Sequence, residues 1–305
     1  MDVSIIIVNY NTLSHIKKCI KSIIDFSELL KIEIIIVDNA SVEKGIKELG
    51  GLFPEVKIIY NDNNNGFGSG CNIGVKQSSG KYCLIVNPDI EFRSNILKGM
   101  VDYMERDKEC GAIGVVLEDE SGNMIYTYNK FPGYFWEYIQ AIGFGSNLII
   151  KRLNKKLLNS KNEAVEVDWL IGAFILIKRS IYEKINGFDE NFFLYYEDVD
   201  IQLRIKKAGY KIKCLKDYRV MHFERSSVRS YEGENLYFYH MNKSKILYMQ
   251  KNFNSFKRIV ITIMHITGIF FRIIFLYLRP KFFGKREQKF NQYKGMLNLY
   301  INSLI

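Results

Sequence analysis

Residues 3–11 read Val-Ser-Ile-Ile-Ile-Val-Asn-Tyr-Asn, an apolar run that ends in polar residues. Similar short runs recur at 33–37, 56–60 and 82–86, and helix-like segments separate them. Near-continuous Ile and Val runs bounded by polar turns are typical of strands buried on both faces, as in a parallel sheet. The first ninety residues therefore predict an α/β fold of alternating strands and helices.

Polar residues follow the end of each of these four predicted strands. Ligands of open α/β sheets bind at the carboxyl ends of the strands, so a ligand site is expected there. The four segments are Asn-Tyr-Asn (9–11), Asp-Asn-Ala-Ser (38–41), Asn-Asp-Asn-Asn-Asn-Gly (61–66) and Asn-Pro-Asp (87–89).

The rest of the chain follows a different pattern. Helices are predicted earlier at 15–24, 45–49 and 70–77, whereas beyond residue 110 strands are predicted at 111–117, 169–178 and 211–222. An aromatic, loop-rich stretch is expected at 126–162, and the tail from about residue 235 is expected to be helical.

Residues 187–209 combine acidic and aromatic side chains. Asp189, Glu197, Asp198 and Asp200 lie among Phe and Tyr residues, and the last three crowd the start of a predicted helix. Acidic residues are favoured at a helix N-terminus, but three within four positions exceed what capping requires. The stretch is interpreted as a place where a carboxylate is held ready to accept a proton.

Composition narrows the class of protein. A chain of 305 residues with 48% hydrophobic and 14% aromatic residues can bury a large core. Its five cysteines form no C-x-x-C pair, which favours a reduced, cytosolic setting over a disulfide framework or a zinc site. The first apolar run lacks a basic flank, so it is interpreted as a buried strand and not as a signal peptide.

The net charge of +10 is unevenly distributed. Residues 251–289 carry +8 of it, and the remainder of the chain carries only +2. A basic pole indicates an anionic partner, either nucleic acid or a membrane.

The ordered motifs resemble family 2 glycosyltransferases of the GT-A fold, of the non-processive bacterial rhamnosyltransferase-like type. The resemblance covers roughly residues 2–225, and it is specific because of the order and spacing of the motifs. It implies a Rossmann-like, mostly parallel central sheet in a catalytic domain at 1–230, followed by a helical, basic and apolar extension at 231–305. The motifs are VSIIIVNYN (3–11), VDNAS (37–41), NNGFGSGCNIG (64–74), VNPD (86–89), DWLIGA (168–173), the acidic stretch and VMH (220–222).

The resemblance also implies a role for individual residues. Asp198 resembles the catalytic base, with Glu197 beside it. Asp89 resembles the last acid of a D-x-D metal motif that holds Mg²⁺ or Mn²⁺, and His222 resembles a histidine that completes such a site. Donor contacts are implied for Asn9, Tyr10, Asp38, Asn64, Gly66, Asn72 and Asn87, and acceptor contacts for Trp169, Gly172 and Ala173.

Physical chemistry favours the same division of roles. A hard cation with oxygen ligands offsets the charge on a departing nucleoside diphosphate, and a separate carboxylate takes the proton of the acceptor hydroxyl. Asn87 replaces the first acid of the metal motif, so the cation would depend on Asp89, the phosphates and His222.

Structural interpretations of these residues stay open. Asp38 and Asp89 suit turns, Asp198 suits a helix cap, and a single histidine at a strand end is often structural. Glu197 or Asp200 could serve as the base in place of Asp198. The Gly66–Gly74 loop lacks the spacing of a dinucleotide fingerprint, which disfavours a dehydrogenase.

Within the basic tail at 257–286, residues 259–278 are mostly apolar and long enough to span a bilayer, but basic residues recur there at intervals of seven. Such a helix fits the plane of a membrane interface, with Lys257, Lys281, Lys285 and Arg286 adding attraction to anionic lipid. Packing on the catalytic domain or on a second copy in a homodimer is the alternative, and a spanning helix is disfavoured. The stripe consists of Arg258, His265, Arg272 and Arg279.

The expected function is inverting transfer of a sugar from dTDP-rhamnose or a UDP-hexose to a saccharide acceptor in surface polysaccharide synthesis. A lipid-linked acceptor would place the protein in the cytoplasm, on the inner face of the cell membrane. The alternative is a catalytically silent GT-A module that binds glycans or acts as a scaffold. Nucleic acid is not an expected partner, because the basic residues alternate with a long apolar helix.

Overall fold

The structure is a computed structural model that describes residues 1–27, 29–125, 127–143, 146–223, 233–278 and 286–304. Its strands are β1 (Val3–Asn9), β2 (Ile32–Asn39), β3 (Val56–Asn61), β4 (Tyr82–Val86), β5 (Ile90–Phe92), β6 (Cys110–Glu118), β7 (Tyr128–Asn129), β8 (Ala164–Val167), β9 (Trp169–Leu170), β10 (Phe174–Lys178) and β11 (Lys211–His222). Its α-helices are α1 (Leu13–Asp25), α2 (Leu49–Leu52), α3 (Phe67–Lys76), α4 (Leu97–Arg106), α5 (Tyr134–Ile142), α6 (Ser146–Leu158), α7 (Arg179–Lys184), α8 (Glu197–Lys207), α9 (Gly233–Asn252), α10 (Ser255–Leu278) and α11 (Arg286–Asn302).

The first half of the chain forms the parallel part of the sheet. Strand β1 pairs in parallel with β2 and with β4, and β2 pairs in parallel with β3. Side chains of β1 alternate between two cores: Val3, Ile5 and Ile7 pack in one, and Ile6 and Val8 pack in the other. The prediction of strands buried on both faces is confirmed, and the carboxyl ends of these strands share one edge.

The second half makes the sheet mixed. In the described part of the chain, the strand order is β3-β2-β1-β4-β10-β6-β11-β5, with β8 also paired to β11. Strand β10 is antiparallel to both β4 and β6, whereas β11 is parallel to β6. Because β10 is antiparallel, its first residue, Phe174, lies opposite the last residue of β4, Val86. The segment that precedes β10 therefore lies at the predicted ligand edge.

Two sequence-based expectations are corrected. The single strand expected at 169–178 is two short strands, β9 and β10, separated by residues 171–173. The loop-rich stretch expected at 126–162 contains α5 and α6, although residues 126 and 144–145 of it lie outside the described residues. Its aromatic residues gave no clear helical period.

Helices α9, α10 and α11 follow the sheet, which confirms the prediction that the tail of the chain is helical. They enclose a small core of their own, formed by Ile246, Met249, Ile261, Ile269, Met296 and Tyr300. The predicted domain boundary at residue 230 lies within 224–232, outside the described residues, as do Arg279, Lys281 and Lys285 of the basic tail.

A buried charged group ties these helices to α5. The Glu137 carboxylate accepts a hydrogen bond from Lys245 Nζ of α9 at 3.0 Å, and it lies 2.7 Å from His265 Nε2 of α10. Burial alone would raise the pKa of Glu137, but Lys245 and His265 outweigh it and lower the pKa to about 2. Removing one partner of such a buried pair would leave an uncompensated buried charge, which is strongly destabilising. The contacts among Glu137, Lys245 and His265 therefore hold α5 and the C-terminal helices together.

Helix α3 approaches the sheet closely because its inner face is made of small residues. A Cβ on Gly74 would lie 2.5 Å from Ile6 Cγ2, and one on Gly70 would lie 2.9 Å from Val8 Cγ1. This close approach places the first turn of α3 at the ligand edge.

We expect Gly74→Ala to destabilise the fold by about 1–3 kcal/mol, because the added methyl group overpacks the contact with Ile6. Gly51→Ala is the matched control, since a Cβ at Gly51 meets no atom within 4 Å. Urea unfolding would measure both. Equal stability of the two variants would contradict close packing of α3 on β1.

Candidate active site

The ends of β1 and β2 hold a buried carboxylate in a fixed orientation. Asn9 lies beside Asp38 in the parallel register and donates from Nδ2 to Asp38 Oδ1 at 2.7 Å. The backbone N–H of Ser41 donates to Asp38 Oδ2 at 3.2 Å, and Ser41 Oγ accepts a second bond from Asn9. Tyr10 follows Asn9 and is half-buried. The structure thus brings three of the predicted donor residues together.

The Gly-rich loop after β3 is held against both sides of the site. Asn64 Oδ1 accepts from the Gly66 N–H at 3.0 Å, and Asn39 Nδ2 donates to the Gly66 carbonyl at 3.0 Å. Gly66 has φ +94°, and a Cβ there would overlap the backbone carbonyl of Phe193. The Phe67 N–H donates to that same carbonyl at 3.1 Å. Only glycine fits this position, where the acidic, aromatic stretch contacts the start of α3.

Asn72 serves a different contact from its neighbours on the loop. Its carboxamide oxygen accepts from Tyr182 Oη at 2.6 Å and from the Phe188 N–H at 2.9 Å. Its Nδ2 donates to the Phe188 carbonyl at 2.9 Å and to Glu190 Oε1 at 2.8 Å. Asn72 therefore fastens α3 to the segment that leads into the acidic stretch, and it stays only a prediction as a donor contact.

Asp89 and His222 meet at the end of the sheet. Strand β5 is antiparallel to β11, so His222 lies opposite Ile90 and next to Asp89. His222 Nε2 is 3.3 Å from Asp89 Oδ1, and the Phe223 N–H donates to the Asp89 carbonyl at 3.0 Å. Within the described residues, no group of three or more His, Cys, Asp or Glu side chains could hold a metal ion.

The acidic helix α8 presents Asp198 at the gap between β9 and β10. The Gly172 N–H donates to Asp198 Oδ2 at 2.8 Å, and the Val199 N–H donates to Oδ1 at 2.9 Å. Gly172 is tightly placed, since a Cβ there would lie 2.8 Å from Asp198 Cβ. Loss of hydration raises the pKa of Asp198 to about 6, against the lowering effect of these hydrogen bonds.

The two acids beside Asp198 have different surroundings. Glu197 is buried, and its Oε2 has no hydrogen-bond partner among the described residues. Burial, and then the Asp198 carboxylate, raise the pKa of Glu197 well above its usual range, which favours its protonated form. Asp200 Oδ2 accepts from Arg204 Nε at 2.7 Å, and Arg204 also donates to the carbonyls of residues 185 and 187. Asp200 is thus part of the framework.

Backbone strain precedes the acidic helix. Tyr195 and Tyr196 have φ values of +68° and +65°, a left-handed conformation that aromatic residues rarely adopt. Tyr196 is buried against Trp169 and Tyr248, which fixes this conformation. The surrounding packing must maintain a strained backbone of this kind, and such strain is concentrated at functional sites.

Trp169 belongs to this buried cluster. Its indole Nε1 donates to the Lys130 carbonyl at 2.9 Å, and its ring packs beside Phe192 and Tyr196. The structure therefore places Trp169 beneath the acidic stretch, whereas Gly172 reaches the partly exposed Asp198.

A short chain of contacts connects the two ends of the site. The Asn87 N–H donates to the Ala173 carbonyl at 2.9 Å, and Ala173 follows Gly172, which binds Asp198. The turn that carries Asp89 is thereby linked through three residues to Asp198. The half-buried Asn87 lies between them.

Several residues that build the site were given no individual role from the sequence. Asn11 Oδ1 accepts from the Val42 N–H at 2.9 Å, and Thr12 Oγ1 donates to Asn9 Oδ1 at 2.7 Å. The exposed Tyr60 lies beside Asp38 in the register of β2 and β3. The position of Tyr60 at the end of the apolar run 56–60 was a usable signal. The contact of Gly66 with the Phe193 carbonyl depends on backbone geometry, which no side chain indicates.

The comparisons with known proteins agree with this architecture. Residues 4–186 match the family described as "Glycosyl transferase family 2", and residues 156–226 match "N-terminal domain of galactosyltransferase". The first match covers more than half of the chain. The chain therefore belongs to glycosyl transferase family 2, and it is a glycosyltransferase with rhamnosyltransferase relatives.

Two curated relatives cover most of its length. The chain is 28% identical over 240 residues to rhamnosyltransferase WbbL of Escherichia coli K12, covering 75% of this chain and 86% of that protein. It is 23% identical over 237 residues to the N-acetylglucosaminyl-diphospho-decaprenol L-rhamnosyltransferase of Mycobacterium tuberculosis, covering 73% of this chain and 76% of the relative.

Solved structures confirm the predicted GT-A fold. TarS of S. aureus, solved with UDP-GlcNAc, is 14% identical with a TM-score of 0.59, and the match covers 100% of this chain and 82% of TarS. GalNAc-T7, solved with UDP, GalNAc and Mn²⁺, is 17% identical with a TM-score of 0.62. That match covers 82% of this chain and 48% of GalNAc-T7. At these identities the likeness concerns the fold.

Proposed function

We propose that this glycosyltransferase moves one sugar from a nucleotide-sugar donor to a saccharide hydroxyl with inversion, and that Asp198 is the base. The observation that carries the proposal is the Asp198 carboxylate, fixed by the Gly172 N–H and linked through Ala173 to the Asp89 turn. A silent glycan-binding module would have no need of a carboxylate with a raised pKa at this place.

The step is a single displacement. As the acceptor oxygen bonds to the anomeric carbon, its proton passes to Asp198, and the bond from that carbon to the diphosphate oxygen breaks. The pKa of about 6 leaves Asp198 mostly ionised near neutral pH, yet basic enough to take the proton. Both carboxylate oxygens accept one backbone hydrogen bond and retain a second lone pair for the acceptor hydroxyl.

The donor is held at the opposite end of the site. The fixed Asp38 carboxylate suits an N–H group of a nucleobase, and Tyr10 and Tyr60 offer rings beside it. The Gly66 turn lets backbone approach the diphosphate closely. Rhamnosyltransferases among the relatives favour dTDP-rhamnose as the donor, and a UDP-hexose is the second candidate.

Asp89 and His222 fit a binding site for a divalent cation, in which the donor phosphates supply further ligands. Mg²⁺ commonly uses one or two protein ligands together with substrate phosphates and water. His222 Nδ1 is buried and has no hydrogen-bond partner within the described part of the chain, and His222 Nε2 points at Asp89. The cation would offset charge on the departing diphosphate. Asp89 and His222 would hold it, and Asn87 would contact its water shell.

The proposed acceptor is a lipid-linked saccharide. One relative is named for transfer to a decaprenol-linked acceptor, and its match covers 73% of this chain. Gly172 contacts Asp198 on the proposed acceptor side, whereas Ala173 and Trp169 are buried.

Asp198→Asn should lower turnover by about two to four orders of magnitude, because the carboxamide cannot accept the proton. Affinity for the nucleoside diphosphate should be retained, because position 198 lies away from the donor residues and the one carboxamide oxygen can still accept from the Gly172 N–H, although the Val199 hydrogen bond is lost. Radiolabelled sugar transfer and calorimetry would measure these quantities.

Glu197→Gln is the matched control for that substitution. A carboxamide imitates a protonated carboxyl group, so turnover should fall less than about tenfold. If Glu197→Gln abolished transfer while Asp198→Asn kept it, Glu197 and not Asp198 would be the base.

Asp89→Ala should weaken donor binding in Mn²⁺ by about 10- to 100-fold, because a cation ligand is lost. Calorimetry in EDTA should show no difference from the parent protein. Glu91→Ala is the control, since Glu91 faces Met221 in the register of β5 and β11. Equal donor affinity of Asp89→Ala and the parent protein in Mn²⁺ would remove Asp89 from the metal site.

A further inference from the structure

Helices α5 and α10 expose a continuous set of large apolar side chains, here called the apolar face. On α10 they recur every three or four residues along one side of the helix. Phe271 is 60% exposed and Leu278 is 68% exposed, and Phe135 of α5 is 70% exposed. The α10 members are Phe256, Ile259, Ile263, Phe270, Phe271, Ile274, Phe275, Tyr277 and Leu278, and the α5 members are Tyr134, Phe135 and Tyr138.

The opposite side of α10 is fixed against the protein. His265 lies 2.7 Å from the Glu137 carboxylate and stacks on Tyr300 with 4.7 Å between ring centroids. Arg272 donates to the Gln140 carbonyl, and a Cβ on Gly268 would overlap the backbone of α5. Rotating the helix to hide the apolar face would break these contacts. The outward orientation is therefore built into the fold.

This orientation differs from the one suggested by the sequence. His265 and Arg272 of the basic stripe face α5, so they offer no charge to a surface partner. Their inward position leaves the outer side of α10 apolar over about 28 Å from Ile259 to Leu278. Soluble monomers rarely expose a patch of this size without a partner.

Lys257 brings a positive charge to the apolar face, since its Nζ lies 5.6 Å from the centroid of the Tyr134 ring. Helix α6, which follows α5, carries exposed Lys151, Arg152, Lys155 and Lys156 and has no acidic residue. Helix α10 likewise has no acidic residue in its sequence, and Lys257 lies in its first turn. A second copy of the chain would bring the same cations, whereas an anionic surface complements them.

We propose that the apolar face lies in the boundary between headgroups and acyl chains of an anionic membrane leaflet, with α10 parallel to the membrane plane. The proposal goes beyond the transfer reaction and does not depend on the donor, the metal or the base.

Helix α10 is the one helix in the described part of the chain that is long and apolar enough, by length and composition, to cross a bilayer. A crossing orientation would carry Glu137, Lys245 and Arg272 into hydrocarbon with it, which is costly. A helix that lies in the interface leaves this polar group inside the protein. Its aromatic residues then rest at the depth that amphipathic helices occupy.

A cavity of ≈ 400 Å³ opens between the two helices. It is lined mainly by apolar side chains, including Tyr138, Met264, Phe271 and Phe275. On a membrane, this cavity would receive a lipid chain from the leaflet.

Vesicle flotation of the full chain tests the proposal. We expect the protein to float with phosphatidylcholine–phosphatidylglycerol vesicles and to bind less to phosphatidylcholine alone. Phe270→Ser/Ile274→Ser should reduce the vesicle-bound fraction by about tenfold or more, because two side chains leave the lipid. Leu29→Ser/Leu52→Ser is the matched control, at exposures of 65% and 58% against 51% and 54%.

Two further measurements distinguish insertion into lipid from the formation of a dimer. Trp136 and Trp169 are buried, so Phe271→Trp adds an exposed indole, and brominated lipids should quench only the added fluorescence. Light scattering would detect a dimer. The proposal is overturned if the parent protein ignores both vesicle types, if the added indole is not quenched, or if Phe270→Ser/Ile274→Ser only dissociates a dimer. If the parent protein binds vesicles as expected but transfers no sugar, the result counts against the proposed function and not against membrane binding.

Discussion

The site depends on the antiparallel insertion of β10 between two strands of the sheet. Because Phe174 starts opposite the end of β4, residues 171–173 lie beside the turn that carries Asp89. A parallel strand would have placed them at the other edge of the sheet. Gly172 can then donate its backbone N–H to Asp198, and the absence of a side chain lets the helix that carries Asp198 approach. One change in strand direction thus brings the donor and acceptor sides together.

The three acids at the start of α8 have different surroundings, and different roles follow from them. Asp200 braces the framework through Arg204, Glu197 is buried in a setting that favours its neutral form, and Asp198 remains partly exposed at the ligand edge. Two strained tyrosines fix the start of the helix. The arrangement agrees with a site in which one of three neighbouring acids handles a proton and the other two hold it in place.

Sequence patterns specified the parallel half of the fold well, because buried strands have a strong apolar signal. They also predicted that Asn9, Asp38 and Asp89 lie at strand ends and Asp198 at a helix start, since polar residues in such places stand out, and their functional roles stay predictions. They did not show the break at 171–173, because the apolar run continues through it. Nor did they show that Asn72 and Trp169 are engaged by the protein itself, since such contacts depend on tertiary packing. The inward side of α10 could not be foreseen either, because Glu137 is distant in the sequence.

The most direct test of the central claim is the titration of Asp198 followed by NMR with carboxyl-labelled aspartate. The Asp198 signal would be assigned by its loss in Asp198→Asn. Partial loss of hydration at the start of α8 predicts a midpoint at about pH 6, with the ionised form dominant at neutral pH. A midpoint near that of an ordinary aspartate, about 4, would contradict the account, because Asp198 would then be a hydrated helix cap without the basicity that proton transfer requires.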